Sequence, residues 1–200
     1  MSKDYTFEKY IYPSRWMSYW YQIKSVIDLG AVDILEVGVG SGFVTIFLKN
    51  NNIRVTTLDV DESLCPDVVG SVLDIPLKDN SFEAVICAEV LEHLPFDYFE
   101  RGLTELGRVA KGHIILSLPH FGPSLRVSIK IPLFREKRLA IKIPFPFNNN
   151  LSDEHCWEIG RSGYSPRKIR KIISKYFKIK KEFIPFENQY HHFFVLEKNS

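Results

Sequence analysis

Apolar positions recur along this chain in two rhythms, and the alternation of the two predicts an α/β fold. Ile34, Leu35 and Val37 form a short apolar run that ends in Gly38-Val39-Gly40-Ser41-Gly42, the pattern of a strand, a glycine turn and a helix start. Phe43 to Leu48 supply that helix and Asn50-Asn51-Asn52 end it. Ile53 to Asp59 then alternates as a second strand closing on an acid. Upstream, residues 14–29 read as a helix capped by Ser14, with Trp16, Trp20, Ile23 and Ile27 at helical spacing and Gly30 just past its end.

The rhythm continues with a short third strand at 68–73 and a nearly continuous apolar strand at 82–88, of the kind that parallel sheets bury. Pro95 opens a helix that reaches about Val109, and His113 to Leu118 form the fifth strand. Near the end, Ser165 caps a helix with Pro166 at its first position and Ile169, Ile172, Ile173, Tyr176 and Phe177 on one face. Two strands follow, at about 179–186 and 190–196, and their short connection requires an antiparallel pair. Residues 121–150 break the pattern with the repeated stretches Ile129-Lys130-Ile131-Pro132 and Ile141-Lys142-Ile143-Pro144. They read as an insertion, either a surface hairpin or a substrate lid. Strand and helix otherwise alternate throughout, which predicts a single doubly wound, Rossmann-like domain over residues 1–200.

Composition narrows the classes. A chain of 200 residues with 45% hydrophobic and 25% charged residues is ordinary for one globular domain. The N-terminus lacks the basic start and apolar run of a signal peptide, and no apolar span has membrane length, so a soluble cytoplasmic protein is expected. Cys65, Cys87 and Cys156 are few and scattered, which argues against a disulfide framework or a paired-cysteine metal site, and no metal is assigned. The net charge of +2 hides a split. Residues 1–120 carry 10 Lys/Arg against 17 Asp/Glu, whereas residues 121–200 carry 16 against 7. Nine basic residues without an acid lie between Arg161 and Lys181, so an anionic acceptor or a peripheral membrane contact is expected there, with a plain solvated face as the alternative.

The glycine turn is common to several nucleotide-binding folds. Here the spacing is Gly-x-Gly-x-Gly, Phe43 stands where a dinucleotide fingerprint wants a small residue, and the preceding strand carries Glu36. Leu35-Glu36-Val37-Gly38-Val39-Gly40-Ser41-Gly42 resembles the first motif of the class I S-adenosylmethionine methyltransferases. Asp59 at the end of strand two, Leu73-Asp74-Ile75-Pro76-Leu77, and Ala88-Glu89-Val90-Leu91-Glu92-His93-Leu94 match in order, the last resembling the branch that includes ubiquinone and menaquinone biosynthesis methyltransferases.

The resemblance implies a seven-stranded, mostly parallel sheet with the last strand antiparallel, and S-adenosylmethionine as cofactor. It implies that Gly38 and Gly40 bring backbone close to the cofactor, that Asp59 accepts the ribose hydroxyls beside Val60, and that the Asp74 carboxylate and Ile75 N–H meet the adenine. Glu36, Ala88 and Glu89 complete the implied lining. A sulfonium cation suits an acidic site, which would repel a pyrophosphate. The expected reaction is methyl transfer to O, N or C of a small molecule or an anionic, lipid-linked saccharide. The rival classes are a nicotinamide-dependent oxidoreductase and a non-catalytic cofactor-binding protein. Nucleic acid is not expected, since no binding module accompanies the basic residues.

In-line displacement from a sulfonium needs alignment and dryness more than a base. Candidate bases are His93, His120, His155 and His191, all placed where strands or their turns open onto the cofactor, whereas His113 starts a strand. The aromatic N-terminal segment, Tyr5, Phe7, Tyr10, Tyr12, Trp16, Tyr19, Trp20 and Tyr21, is expected to pack as a cover, with one or two rings facing the methyl donor or lining the substrate entrance.

Overall fold

The computed structural model describes residues 12–143 and 154–199. Its elements are α1 (Pro13–Leu29), β1 (Asp33–Val37), α2 (Phe43–Asn50), β2 (Arg54–Asp59), β3 (Val68–Val69), β4 (Phe82–Ala88), α3 (Phe99–Val109), β5 (Ala110–Pro119), β6 (Ser124–Ile129), β7 (Lys137–Lys142), α4 (Pro166–Tyr176), β8 (Phe177–Phe183) and β9 (His191–Lys198). Seven strands form one sheet in the order β3-β2-β1-β4-β5-β9-β8. The β1, β2, β3, β4 and β5 pairs are parallel, and β9 runs against both of its neighbours, as the resemblance implies.

The period of two in the strands divides the core between the two faces of this sheet. Leu35, Val37, Val85, Cys87, Ile114 and Leu116 point toward α3 and α4, with Leu103, Leu106, Ile169, Ile173 and Trp157 packed against them. Ile34, Ala84, Ile86 and Ile115 point the other way, onto Tyr19, Ile23 and Val26 of α1 and Val44 and Leu48 of α2. Glu36 shares that second face with Ile34, so strand period alone carries a carboxylate beneath α2.

Several boundaries differ from the sequence reading. The first helix starts at Pro13 with Tyr12 in the cap position and no side-chain cap, because a proline at the first turn gives up no hydrogen bond and fixes the entry angle. Its inner face is Ser18, Tyr19, Gln22, Ile23, Ser25 and Val26. Trp16, Trp20 and Ile27 are 40%, 47% and 55% exposed, so the buried stripe is rotated from the aromatic one. Pro95 leads into a 3-10 turn at Phe96–Tyr98, and the helix proper begins at Phe99. The third strand is only two residues long. Ser165 does cap α4, accepting the Lys168 N–H at 3.2 Å.

Part of the 121–150 insertion is a two-stranded antiparallel ribbon, β6 with β7, apart from the main sheet. Leu125, Val127, Ile129, Leu139 and Ile141 are exposed on it. Arg126 donates to the Phe186 carbonyl, Arg138 pairs with Glu187 at 2.6 Å, and Lys142 donates to the His120 and Gly122 carbonyls. The remainder of the insertion, 144–150, lies outside the described residues, as do Tyr5, Phe7 and Tyr10. No helix among the described residues is long and apolar enough to cross a membrane.

Candidate functional site

A cavity of about 430 Å³ opens at the carboxyl ends of β1, β2 and β4. This is where the strand order reverses, from β1 outward to β2 on one side and to β4 on the other, and crevices of open α/β sheets form at such a point.

The glycine turn makes its floor. Gly38 has φ +84° and donates its N–H to the Leu58 carbonyl at 2.8 Å. A Cβ placed on it would lie 2.5 Å from Cγ2 of Val90, so both conformation and space require glycine. Gly40 and Gly42 also have positive φ. The turn is pinned at its far side by Ser41, whose hydroxyl bonds the Tyr19 hydroxyl at 3.0 Å, and by Phe43, which meets Trp16 edge-on at 4.4 Å. The aromatic residues of α1 thus act as a cover over the turn, and Arg15, Ser18, Tyr19 and Gln22 reach the cavity.

Five acidic residues line it: Glu36, Asp59, Asp61, Glu89 and Glu154. Asp59 accepts the Val39 N–H at 2.8 Å on one oxygen and the Asp61 N–H at 3.0 Å on the other, which fixes its plane at the end of β2. Glu36 is buried and bonded to the Thr45 hydroxyl; burial pushes its carboxyl up to about 7. Glu89 follows β4 with φ +55°, a left-handed conformation costing a non-glycine residue about 1–3 kcal/mol and met most often at functional sites. Its N–H donates to the Ser117 carbonyl at 3.1 Å and its Oε1 accepts the Ser117 hydroxyl at 2.7 Å. Burial raises its carboxyl to about 7, against the pull of the Ser117 hydroxyl.

Of the nine cofactor residues inferred from the sequence, Glu36, Gly38, Gly40, Asp59, Val60, Ala88 and Glu89 line the cavity; Asp74 and Ile75 do not. Asp74 is exposed, and the Ile75 N–H is bonded to the Glu105 carboxylate at 2.9 Å. Arg108 secures the same segment from α3, donating to the Ile75 and Leu77 carbonyls and pairing with Asp79 and Glu105. The stretch that reaches the cavity is instead Gly70-Ser71-Val72.

Three of the four candidate histidines gather at the opposite wall. His93, His155 and His191 line the cavity together with Leu94, Glu154 and Tyr190. His191 is buried, with Nε2 3.6 Å from Glu89 Oε2, and burial holds its imidazole down at about 3. His120 is elsewhere: it stacks on His192 with ring nitrogens 3.1 Å apart in a second cavity, and burial and the His192 charge lower it to about 3. The sequence reading placed it at the shared edge because it follows β5, but the chain there turns toward the β8–β9 side, where the Tyr190 carbonyl accepts its N–H at 2.6 Å.

The residues that sequence reasoning missed are Tyr190, Glu158 and the polar positions Arg15, Ser18 and Gln22 of α1; Tyr19 was among the aromatic residues expected there. Tyr190 donates to Glu158 at 2.5 Å, and Arg161 donates to the same carboxylate at 2.6 Å. Burial alone would raise Glu158, but the His155, Tyr190 and Arg161 bonds overcome it and hold the group at about 2. Nothing in local sequence marks Glu158; its role depends on a fold that brings 154–158 against 92–94.

Residues 35–116 match the family described as a methyltransferase domain, a segment running from β1 into β5. Among solved structures, the N-methyltransferase NodS of Bradyrhizobium japonicum in complex with S-adenosyl-L-homocysteine has a TM-score of 0.66 at 11% identity, covering 100% of this chain and 94% of that one. The magnesium protoporphyrin IX methyltransferase of Synechocystis with bound S-adenosylhomocysteine has a TM-score of 0.62 at 16% identity over 93% of this chain and 84% of that one. In sequence, an uncharacterized protein of Methanocaldococcus jannaschii is 28% identical over 86 residues, which are 40% of this chain and 37% of that protein. The matched segment is thus similar to a methyltransferase domain, and the fold of the chain is that of these S-adenosylhomocysteine-bound methyltransferase structures.

Proposed function

We propose that this chain transfers a methyl group from S-adenosylmethionine to a small-molecule acceptor or an anionic, lipid-linked saccharide, as a member of the branch that includes ubiquinone and menaquinone biosynthesis methyltransferases. The observation that carries the reading is the acidic cavity at the strand-order reversal, with Asp59 held in a fixed plane by two backbone N–H groups. The residues fit the cofactor. A cavity of about 430 Å³ lies within the range of small-molecule sites of ~300–1,000 Å³, the glycine turn leaves room for a close approach, and the carboxylates match a cationic donor with a vicinal diol.

Bound there, S-adenosylmethionine supplies an activated methyl group and an excellent leaving group. This chain's part is to hold and shield. Asp59 has free lone pairs for the ribose hydroxyls; Glu36 and Glu89 place negative charge near a cationic donor; Ser71 and Val72 flank the side facing Gly70. Tyr19 and Arg15 line the cavity from α1, the side from which a bound donor would be shielded. His191, buried beside Glu89, stays neutral at physiological pH; with a basicity this low it serves to hydrogen-bond and orient an acceptor rather than to take its proton.

Calorimetry with S-adenosylhomocysteine and with NAD⁺ separates the classes. Binding of the first and not the second is expected; the opposite result overturns the reading. A screen with methyl-labelled donor over hydroxyl, amine and saccharide acceptors then identifies the substrate, and binding without turnover on any of them would favour a non-catalytic cofactor protein.

A further inference from the structure

The β6–β7 ribbon holds its polar face to the body and its apolar face to solvent, the reverse of what burial of apolar surface favours. Directly opposite residues of an antiparallel pair share a face, and the register sets Leu125 against Ile141, Val127 against Leu139 and Ile129 against Lys137 on one side. Ser124 opposite Lys142, Arg126 opposite Ala140 and Ser128 opposite Arg138 make the other. This second side meets the body: Arg126 donates to the Phe186 carbonyl, Arg138 pairs with Glu187, and Lys142 donates to the His120 and Gly122 carbonyls. Leu125, Val127, Ile129, Leu139 and Ile141 are left exposed on the first. An isolated two-stranded ribbon is marginal in water, so these polar contacts serve to hold an apolar face outward.

The apolar surface continues around the tip. The Ile131 carbonyl accepts the Phe134 N–H at 3.1 Å to turn the chain, and Leu133 within that turn has φ +70°. Glycine suits such a conformation best, yet the position carries leucine, and both Leu133 and Phe134 stand in the open, Phe134 72% exposed. A contiguous apolar patch of this kind marks an interaction site.

The charge beside it is nearly all of one sign. Residues 124–142 hold six basic side chains, Arg126, Lys130, Arg135, Lys137, Arg138 and Lys142, against Glu136 alone, a net charge of +5. Lys130, Arg135 and Lys137 are exposed around the tip and make no ion pair with a described residue. A second copy of this chain would bring like charge against like charge. Large apolar side chains ringed by Lys and Arg instead match a surface that is negative at its rim and apolar just beneath, which is the interfacial layer of an anionic bilayer.

We propose that the β6–β7 ribbon docks this chain on an anionic membrane surface, with Leu133 and Phe134 entering the acyl boundary and Lys130, Arg135 and Lys137 on the headgroups. The ribbon follows the carboxyl end of β5, and β5 is parallel to β4, so it leaves the sheet at the same edge as the cavity. Docking brings that edge toward the bilayer. A lipid-linked acceptor could then be methylated without leaving the membrane, a consequence that rests on the methyl-transfer reading above; the docking itself does not.

The test uses the full chain and vesicles of phosphatidylglycerol mixed equally with phosphatidylcholine, with phosphatidylcholine alone for comparison, read by co-flotation. Binding to the mixed vesicles is expected, and binding to the neutral ones at least about 10-fold weaker. Each basic residue near an anionic leaflet contributes roughly 5-fold, so Lys130→Gln, Arg135→Gln and Lys137→Gln together should lose roughly 100-fold. Leu133→Ser with Phe134→Ser should lose at least about 10-fold. Both side chains are exposed, so the fold and the S-adenosylhomocysteine affinity of that variant should be unchanged. In Phe134→Trp, lipids brominated on their acyl chains should quench emission beyond the quenching seen in the parent, and Arg167→Glu with Lys171→Glu on α4 should float as the parent does. A parent that binds neither vesicle, ribbon variants that bind as the parent does, no added quenching in Phe134→Trp, or loss confined to the α4 variant each overturns the proposal. So does a chain that is dimeric without lipid and monomeric in the Leu133→Ser, Phe134→Ser variant, which would give the face to a second copy. Vesicle binding without S-adenosylhomocysteine binding sinks the methyl-transfer reading alone, and the reverse result sinks only the docking.

Discussion

Glu89 Oε2 lies 3.6 Å from Nε2 of His191, and the two groups are driven in opposite directions by the same burial, the acid up to about 7 and the imidazole down to about 3. Near neutral pH the histidine is therefore uncharged and the acid is partly protonated. A carboxylate attracts a sulfonium only when ionised, so affinity for S-adenosylmethionine should rise as pH is raised through about 7, between roughly pH 6 and 8. S-adenosylhomocysteine carries no sulfonium charge and should respond less. Glu89→Gln should flatten the difference, and a donor affinity that stays constant over that range in the parent would sink the assignment.

Glu36 gives a stability prediction of defined sign. Its carboxyl is raised to about 7 in the folded chain from an ordinary 4.5, so between those values the native state binds the extra proton. Stability from this group is present below about pH 4.5 and is lost as pH rises through 7, a change of up to about 3 kcal/mol. Glu36→Gln keeps the shape and an acceptor for Thr45 but cannot ionise. Its melting temperature should fall less between pH 5 and 8 than the parent's, and parallel curves would show that Glu36 is ionised throughout.

Asp59→Ala removes a carboxylate that holds the Val39 and Asp61 N–H groups and faces the cavity. The expected loss in donor affinity is about 1–3 kcal/mol, from charge-assisted hydrogen bonds. Calorimetry on the folded variant checks it; unchanged affinity would assign the ribose elsewhere.

The β6–β7 ribbon can be removed cleanly, because Ser124 pairs with Lys142 and Ile143 N–H already bonds the Pro123 carbonyl at 2.9 Å. Joining Pro123 to Ile143 should leave S-adenosylhomocysteine affinity nearly intact while turnover on the acceptor is lost. Equal loss of both would make the ribbon part of the core rather than a cover on the acceptor side.

The basic face of α4 is smaller than the sequence implies. Arg170 pairs with Glu182 and Lys175 with Glu100, while Lys168 lies 4.6 Å over the Phe96 ring. Arg167 and Lys171 remain as exposed positions suited to a charge-reversal test. Reversing both to Glu should raise the acceptor KM at low salt and matter less at physiological salt, where screening acts over about 8 Å, with cofactor affinity unmoved. An acceptor KM equal to the parent's at low salt leaves this face as a solvated one.

Much of the fold was legible because period and punctuation act locally. Asp33 to Val37 followed by three glycines needs no partner to be read, and Ser165-Pro166 marks the start of α4 wherever the helix packs. The errors arose where tertiary contacts decide. The inner face of α1 is chosen by the Phe43 and Ile34 side of the sheet rather than by where its tryptophans fall. The Ile75 N–H was claimed by Glu105, thirty residues away, and a motif cannot report that competition. In the site, Glu36 and Asp59 sit at strand positions and Glu89 directly after a strand, places that the pattern fixes, whereas Glu158 and Tyr190 converge through loops whose path depends on the whole sheet.

One consequence concerns the order in which the molecule becomes competent. β9 follows every other strand in sequence, yet it sits inside the sheet between β5 and β8, with residues 191–196 all buried. As the chain emerges during synthesis, β5 presents an unpaired apolar edge until residues 191–198 arrive, a stretch of time in which it is open to wrong partners. His191 arrives on that same strand. A nascent or truncated chain therefore has its glycine turn and Asp59 well before His155 and His191, so one side of the cavity can form early, while the opposite wall is completed only when the sheet is sealed.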